Sequence, residues 1–213
     1  EKIEKICKAL TGGTDVALIS ESGTPAIQDP GYKLIRECIK RGLPITVIPG
    51  PNAGLAALVL SGFPTDNFLF LGFLPKARGK RKKKLAEVKN LPYTLIIYES
   101  PNRLEKLLAD MQEVIGSRNI CMLREITKMY EESIRGSIEK VQERIKGKKI
   151  KGEIVVVAEG FKEELITNYT EEELARELVK LISQGISKKT AIKILLSKYD
   201  INRQKLYNIS TKI

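Results

Sequence analysis

Two short loops carry the residue types best suited to hold a polar ligand: Ser20-Glu21-Ser22-Gly23-Thr24-Pro25 and Pro49-Gly50-Pro51-Asn52-Ala53-Gly54. Gly23 permits backbone angles closed to other residues, so the hydroxyls and amides beside it can approach a ligand closely. Asn52, just ahead of a small-residue apolar run, has the form of a helix cap. Read singly, each string is more often an ordinary turn than a binding site. Other chemistries are narrowed by what the chain lacks. Histidine is absent, which removes His-Cys zinc sites and Ser-His-Asp triads and leaves any proton transfer to another group. No GxGxxG string follows a strand pattern, against a nicotinamide dehydrogenase and against the common Rossmann-type methyltransferase. A P-loop fails as well, because Gly72 and Gly79 are separated by six residues and Lys80-Arg81 brings no magnesium-binding Ser or Thr.

Charge gives a second lead. The formal net charge is +11, and seven of the nine residues from Lys76 to Lys84, KARGKRKKK, are basic. Such a run suits a polyanion, since lysine and arginine release condensed counterions from phosphates, but basic runs are as often solvated loops. Cys7, Cys38 and Cys121 are far apart with no CxxC pair, and read as reduced core thiols of a cytoplasmic protein. No apolar run approaches the roughly 20 residues that cross a bilayer, so no membrane partner is expected.

The elements that must position these residues alternate between strand and helix. Branched apolar runs predict strands at Val16–Ser20, Pro44–Ile48, Phe68–Phe73, Thr94–Tyr98, Asn119–Arg124 and Glu153–Ala158. Helices are predicted at Gly31–Arg41, with Asp29 and Pro30 as its cap and first turn, and at Ala53–Ser61, Lys80–Val88, Arg103–Val114 and Ile138–Lys146. The first two loops then fall at the carboxyl ends of strands, where open α/β sheets bind ligands. Gly62 through Asn67 breaks the rhythm and marks a domain boundary. The fold class is therefore α/β: a first domain over residues 1–66, a second over 67–162, and a helical tail over 163–213. That tail opens with a capping-box spacing at Thr170–Glu173 and is either a docked bundle or a helix-turn-helix-like module.

Taken together, in order, several strings resemble the tetrapyrrole-methylase superfamily. These are the two loops, Tyr98-Glu99-Ser100-Pro101-Asn102-Arg103-Leu104, Leu123-Arg124-Glu125-Ile126-Thr127-Lys128, Tyr130-Glu131-Glu132, Arg135-Gly136 and Gly152-Glu153-Ile154-Val155. Within it they look like the ribosomal RNA small-subunit methyltransferase I branch. The resemblance implies an S-adenosylmethionine cleft between two α/β domains, lined by Glu21, Gly23, Thr24, Pro51, Asn52 and Ala53 from the first and Tyr98, Leu123 and Gly152 from the second. Glu21 stands where the family usually has aspartate. Relatives of this kind begin with a strand, a Gly-Asn-Leu-type loop and a helix ahead of the point matching Glu1, so the first domain is expected to be incomplete at its start, and a fragment of this kind to retain the fold of the second domain while losing activity.

The implied reaction moves a sulfonium methyl group to the 2′-oxygen of a decoding-centre cytidine in 16S ribosomal RNA, free or in the assembled 30S subunit. It is an in-line displacement that needs no metal. Without histidine, the proton of the 2′-hydroxyl falls to Glu99, to Glu125, to a lysine or to solvent. Glu99 is equally suited to pair with Arg103 or to start the next helix, and Arg124 with Glu125 either orients substrate or pairs internally. In this context the basic residues Arg78, Lys80, Arg81, Lys82, Lys83 and Lys84, with Arg103, form the expected phosphate-contacting set. Relatives commonly pair, which implies a homodimer. Two other readings stand beside this one: methylation of a tetrapyrrole such as a corrin precursor, and RNA binding without catalysis.

Overall fold

Five strands build one mixed sheet in the computed structural model, which describes residues 1–162 and 166–211. They are β1 (Phe68–Phe73), β2 (Thr94–Glu99), β3 (Asn119–Arg124), β4 (Glu132–Ser137) and β5 (Ile154–Ala158), in the spatial order β1-β2-β5-β3-β4. β1 and β2 run parallel, and helix α4 (Arg78–Val88) provides the crossover that a parallel pair requires. The pairs β2–β5, β5–β3 and β3–β4 are antiparallel.

Alternation along the strands assigns their side chains to two faces. Leu95 and Ile97, Ile120 and Met122, and Ile154, Val156 and Ala158 enter the larger core. There they meet helices α4, α5 (Pro101–Ile115) and α6 (Ile138–Ile145). The intervening Ile96, Cys121, Leu123, Val155 and Val157 face the opposite side, where Ala57 and Leu58 of helix α3 (Ala53–Ser61) cover them. Burial on both faces explains why these three strands are nearly continuous apolar runs. Helix α5 presents Leu104, Leu107, Leu108 and Met111, the spacing of one helical face.

Three local expectations need correction. The segments Val16–Ser20 and Pro44–Ile48 join no strand ladder among the described residues, and Val16, Leu18, Ile19, Ile45, Val47 and Ile48 are exposed. Apolar alternation supplies a face to bury, whereas a strand also needs a neighbour to hydrogen-bond. Helix α2 (Tyr32–Lys40) is capped by Gly31 instead of starting at Pro30, and Asp29 accepts the Ser20 hydroxyl. Strand β4 went unread because Glu-Ser-Ile-Arg-Gly-Ser buries only Ile134, as suits a polar edge strand. Helix α1 (Lys2–Thr11) is tied to α2 through Arg41, whose guanidinium meets Glu4 at 2.6 Å and Glu37 at 2.8 Å.

Residues Glu1–Phe161 group into one unit and Lys162–Ile213 into a second. The second contains α7 (Glu171–Ser183), α8 (Lys188–Lys198) and α9 (Arg203–Thr211) around its own core of Leu174, Leu178, Ala191, Leu195, Leu206 and Ile209. Thr170 and Glu173 form the capping box that their spacing implies. Residues 163–165 and 212–213 of the expected tail lie outside the described residues. No helix among the described residues is long and apolar enough to cross a membrane.

Candidate functional site

A cleft of about 310 Å³ opens between the two ligand-type loops and the edge of the sheet where β2 ends and β5 begins. Gly23 and Thr24 line it from the first loop, Asn52 and Ala53 from the second, Tyr98 and Glu99 from β2, and Gly152 from the approach to β5. The loops are bound to each other: the Thr24 hydroxyl donates to the Pro51 carbonyl at 3.1 Å. Pro51 itself and the exposed Glu21 stand outside the lining. The Leu123 side chain is fully buried on the α3 face of the sheet, away from the cleft wall.

The second loop is held by its own chemistry. Asn52 caps α3, its side-chain oxygen accepting the Leu55 N–H at 3.0 Å. The next free amide, Gly54 N–H, donates to the Tyr98 hydroxyl at 2.9 Å, which fixes the start of α3 on strand β2. Phe70 and Phe73 meet Tyr98 edge to face, with ring centres at 5.1 Å and 5.6 Å. Burial pushes the Tyr98 phenol above its usual value, so it stays a neutral hydroxyl at pH 7.

Glu99 is 2 % exposed. Its Oε1 accepts the Ser100 N–H at 2.8 Å at the start of α5, and its Oε2 faces the Arg103 guanidinium at 3.2 Å. The two form an ion pair, but Oε2 is buried without a hydrogen bond, as is Arg103 Nε. Arg103 also donates to the Leu74 carbonyl at 2.7 Å. A partly satisfied carboxylate in a cleft wall retains acceptor capacity that a fully bonded one has lost.

Glu125 is arranged differently. Its Oε1 accepts the Glu153 N–H at 2.8 Å and Lys128 Nζ at 3.1 Å. The Glu153 amide first, and Lys128 second, hold this carboxyl below the ordinary carboxylate range. Stabilising the charged form makes Glu125 a poorer proton acceptor than an ordinary glutamate. Because its folded value is depressed, its contribution to stability is present above the ordinary glutamate value and is lost as pH falls through the folded one. Thermal melts across pH should therefore find Glu125→Gln less stable than the parent at neutral pH, with the gap closing below about pH 4. A pH-independent gap would contradict this assignment. Arg124 pairs internally with Glu132 at 3.1 Å.

Residues that sequence reasoning missed also line the cleft: Ser22, Ile27, Gln28, Asp29, Phe73, Ser100 and Glu153. Ser22, Ser100 and Glu153 lay within strings already singled out, but Ile27 and Gln28 carried no signal. Ala26 and Gln28 adopt φ of 67° and 61°, and Glu125 and Thr127 adopt 52° and 66°. These four are the non-glycine residues of positive φ among the described residues. They fall in two loops, one lining the cleft and one packed on Gly152, and such strain is characteristic of functional loops.

From Arg78 onward the basic run lies in helix α4, where the helix Lys80–Val88 was expected. Arg81, expected to reach phosphate, is 4 % exposed and turns inward onto Asp110 at 2.6 Å, because Leu85 and Val88 on the same face pull that side of the helix into the core. Arg78 bonds Asp110 and Glu113, each at 3.0 Å, Lys82 also bonds Glu113, and Lys84 pairs with Glu87. Lys80 and Lys83 are exposed and form no ion pair among the described residues.

Comparison with known proteins matches this arrangement to a family. The model for tetrapyrrole (corrin/porphyrin) methylases matches residues 1–142. A protein of Halalkalibacterium halodurans named ribosomal RNA small subunit methyltransferase I is 38 % identical over 209 residues, covering 97 % of this chain and 72 % of its own. Its namesake in Rickettsia prowazekii is 38 % identical over 211 residues, 98 % and 74 % of the two chains, and that of Mesorhizobium japonicum 47 % over 154 residues, 71 % and 52 %. Among solved structures, the methyltransferase CobJ superposes with a TM-score of 0.57 at 18 % identity, over 79 % of this chain and 72 % of that one. A cobalt precorrin-4 methyltransferase gives 0.55 at 15 %, over 75 % and 70 %. Identities this low establish likeness of fold alone. The family match agrees with the relatives that match nearly all of this chain, and the chain belongs to the tetrapyrrole (corrin/porphyrin) methylases, in the branch of the ribosomal RNA small subunit methyltransferase I proteins.

Proposed function

We propose that the cleft binds S-adenosylmethionine and that the protein transfers its methyl group, in the cytoplasm, to the ribose 2′-oxygen of a decoding-centre cytidine in 16S ribosomal RNA. The observation that carries this reading is that both motif loops, the end of β2 and Gly152 converge on one cavity in a chain whose relatives bear the name of ribosomal RNA methyltransferases. The residues suit the cofactor. Ile27, Phe73, Tyr98 and Val155 offer apolar walls for an adenine ring, while Thr24, Asn52 and Ser100 offer hydroxyl and amide partners. Asp29, Glu99 and Glu153 bring carboxylates to the same lining, which favours a sulfonium cation. The volume lies at the lower end of the range for small-molecule sites.

When bound, the cofactor supplies an electrophilic methyl group with its own leaving group. What the protein contributes is alignment, a dry wall and a proton acceptor. The Tyr98 ring, wedged by Phe70 and Phe73 and bonded to Gly54, gives that wall a fixed position. Glu99, with Oε2 lacking a hydrogen bond, is the residue we assign to take the proton of the 2′-hydroxyl.

Incubation with 30S subunits and methyl-labelled cofactor tests the reaction. A 2′-O-methyl group removes the nucleophile that alkali needs to cleave the adjacent phosphodiester, so the label should survive alkaline hydrolysis in a dinucleotide. Label released on mononucleotides would place the methyl on a base and contradict the proposal. Glu99→Gln should slow transfer by about 10²–10⁴ while retaining affinity for S-adenosylhomocysteine. For phosphate contact, Lys80→Glu with Lys83→Glu should weaken RNA binding and lower the slope of log K against log salt by roughly 0.7–0.9 for each phosphate no longer neutralised. An unchanged slope would remove α4 from the RNA interface.

A further inference from the structure

We infer that the outward face of α9, supported by α8, is a second RNA-contacting surface that reads the target rather than merely holding its phosphates. The inference rests on the ribosomal RNA reading above. Phosphate contacts from α4 are indifferent to sequence, so selection of one site demands groups able to meet bases.

Helix α9 buries Leu206, Ile209 and Ser210 against the core of its unit. On its opposite side Arg203, Gln204, Tyr207, Asn208 and Thr211 follow the i, i+1, i+4, i+5, i+8 spacing of a single helical stripe, and all five are exposed. Arginine, glutamine and asparagine are the side chains that pair with base edges, and tyrosine stacks on unpaired bases. Tyr207 is 54 % exposed and makes no ring contact among the described residues, so its face is available. Lys205, off this stripe, is taken by Glu171.

Charge points the same way. From Lys188 to Thr211 there are six basic residues and one acidic residue, Asp200. The glutamates of this unit's described residues are all on α7, where Glu177 pairs with Lys198 and Glu171 with Lys205. Lys189 and Lys193, four apart on the outward side of α8, and Arg203 form no ion pair among the described residues. The connection between α8 and α9 is short, Tyr199 to Asn202, and Lys188 Nζ donates to the Ser210 carbonyl, bracing the two helices at the far end. A short connection, a brace at the far end and a polar stripe on the second helix are features that helix-turn-helix units use to present a reading helix to nucleic acid.

The test uses the full chain and two labelled RNAs: a hairpin spanning the 16S decoding centre and a scrambled hairpin of equal length, each titrated by anisotropy. The parent should prefer the decoding-centre hairpin. Arg203→Ala with Tyr207→Ala should weaken that complex by about tenfold or more and erase the preference. Tyr207→Phe alone should keep both affinity and preference, because the stacking face is retained. Titration with S-adenosylhomocysteine should give the same affinity in every variant, which verifies folding of the first unit, and helical circular dichroism checks the second. Unchanged affinity and preference in the double variant, alongside weakening by Lys80→Glu with Lys83→Glu, would overturn this inference and leave the ribosomal RNA reading standing. Failure of the parent to bind either hairpin would overturn both.

Discussion

Replacing Asp110 with alanine should destabilise the protein by about 3–5 kcal/mol, the cost of leaving a buried guanidinium without its counter-charge. Asp110 is 1 % exposed, on the inner side of α5. Its Oδ2 lies 2.6 Å from Arg81 Nη2, while its Oδ1 accepts Arg78 Nε at 3.0 Å. Arg81 Nη1 is bonded to the Lys76 carbonyl at 3.0 Å, so the cation cannot swing out to water without breaking the entry to α4. Urea unfolding of Asp110→Ala measures the loss, and a change under about 1 kcal/mol would mean that the pair is dispensable. Substituting both partners with apolar residues, Asp110→Leu with Arg81→Met, should recover much of the loss, since removing a whole buried pair is far less destabilising than removing half of it. Function should follow stability here, because Lys80 and Lys83 are displayed by the helix that this pair anchors.

Gly152→Ala should lower affinity for S-adenosylhomocysteine at least tenfold and cost about 1–3 kcal/mol of stability. Gly152 lines the cleft at φ +88°, and a Cβ there would stand 2.4 Å from Glu125 Oε1 and 2.6 Å from its Cγ. Glu125 would have to leave the Glu153 amide, loosening the approach to β5. The double variant Gly152→Ala with Glu125→Ala relieves the collision but not the backbone strain, so it should be more stable than the sum of its parts implies. Simple additivity would show that the two residues do not act on one another.

What was legible in the sequence follows from what carried a local signal. The interior strands β2, β3 and β5 are apolar on both faces, and the helices beside them have regular stripes, so their positions could be read directly. Thr170 declared its helix through the capping box. Strand β4 could not be read, because an edge strand is held by pairing with β3 and not by its own hydrophobicity. The reverse held at Val16–Ser20 and Pro44–Ile48, where the pattern was present and the ladder was not. At the cleft, glycines and Asn52 announced themselves by type. Gln28 did not, because a positive φ in a non-glycine residue is imposed by its surroundings. The basic run shows the same limit: composition counts Arg81 and Lys80 alike, and only the helix places one in the core and the other in water.

Everything proposed for the reaction depends on the cleft between the two loops and β2 being a cofactor site. Calorimetric titration of S-adenosylhomocysteine into the protein tests it most directly, read together with nuclear magnetic resonance shifts of the backbone amides. A single binding event that perturbs Gly23, Ala53, Tyr98 and Gly152 is the predicted result. Absence of binding, or binding that leaves those four amides unmoved, would contradict the account.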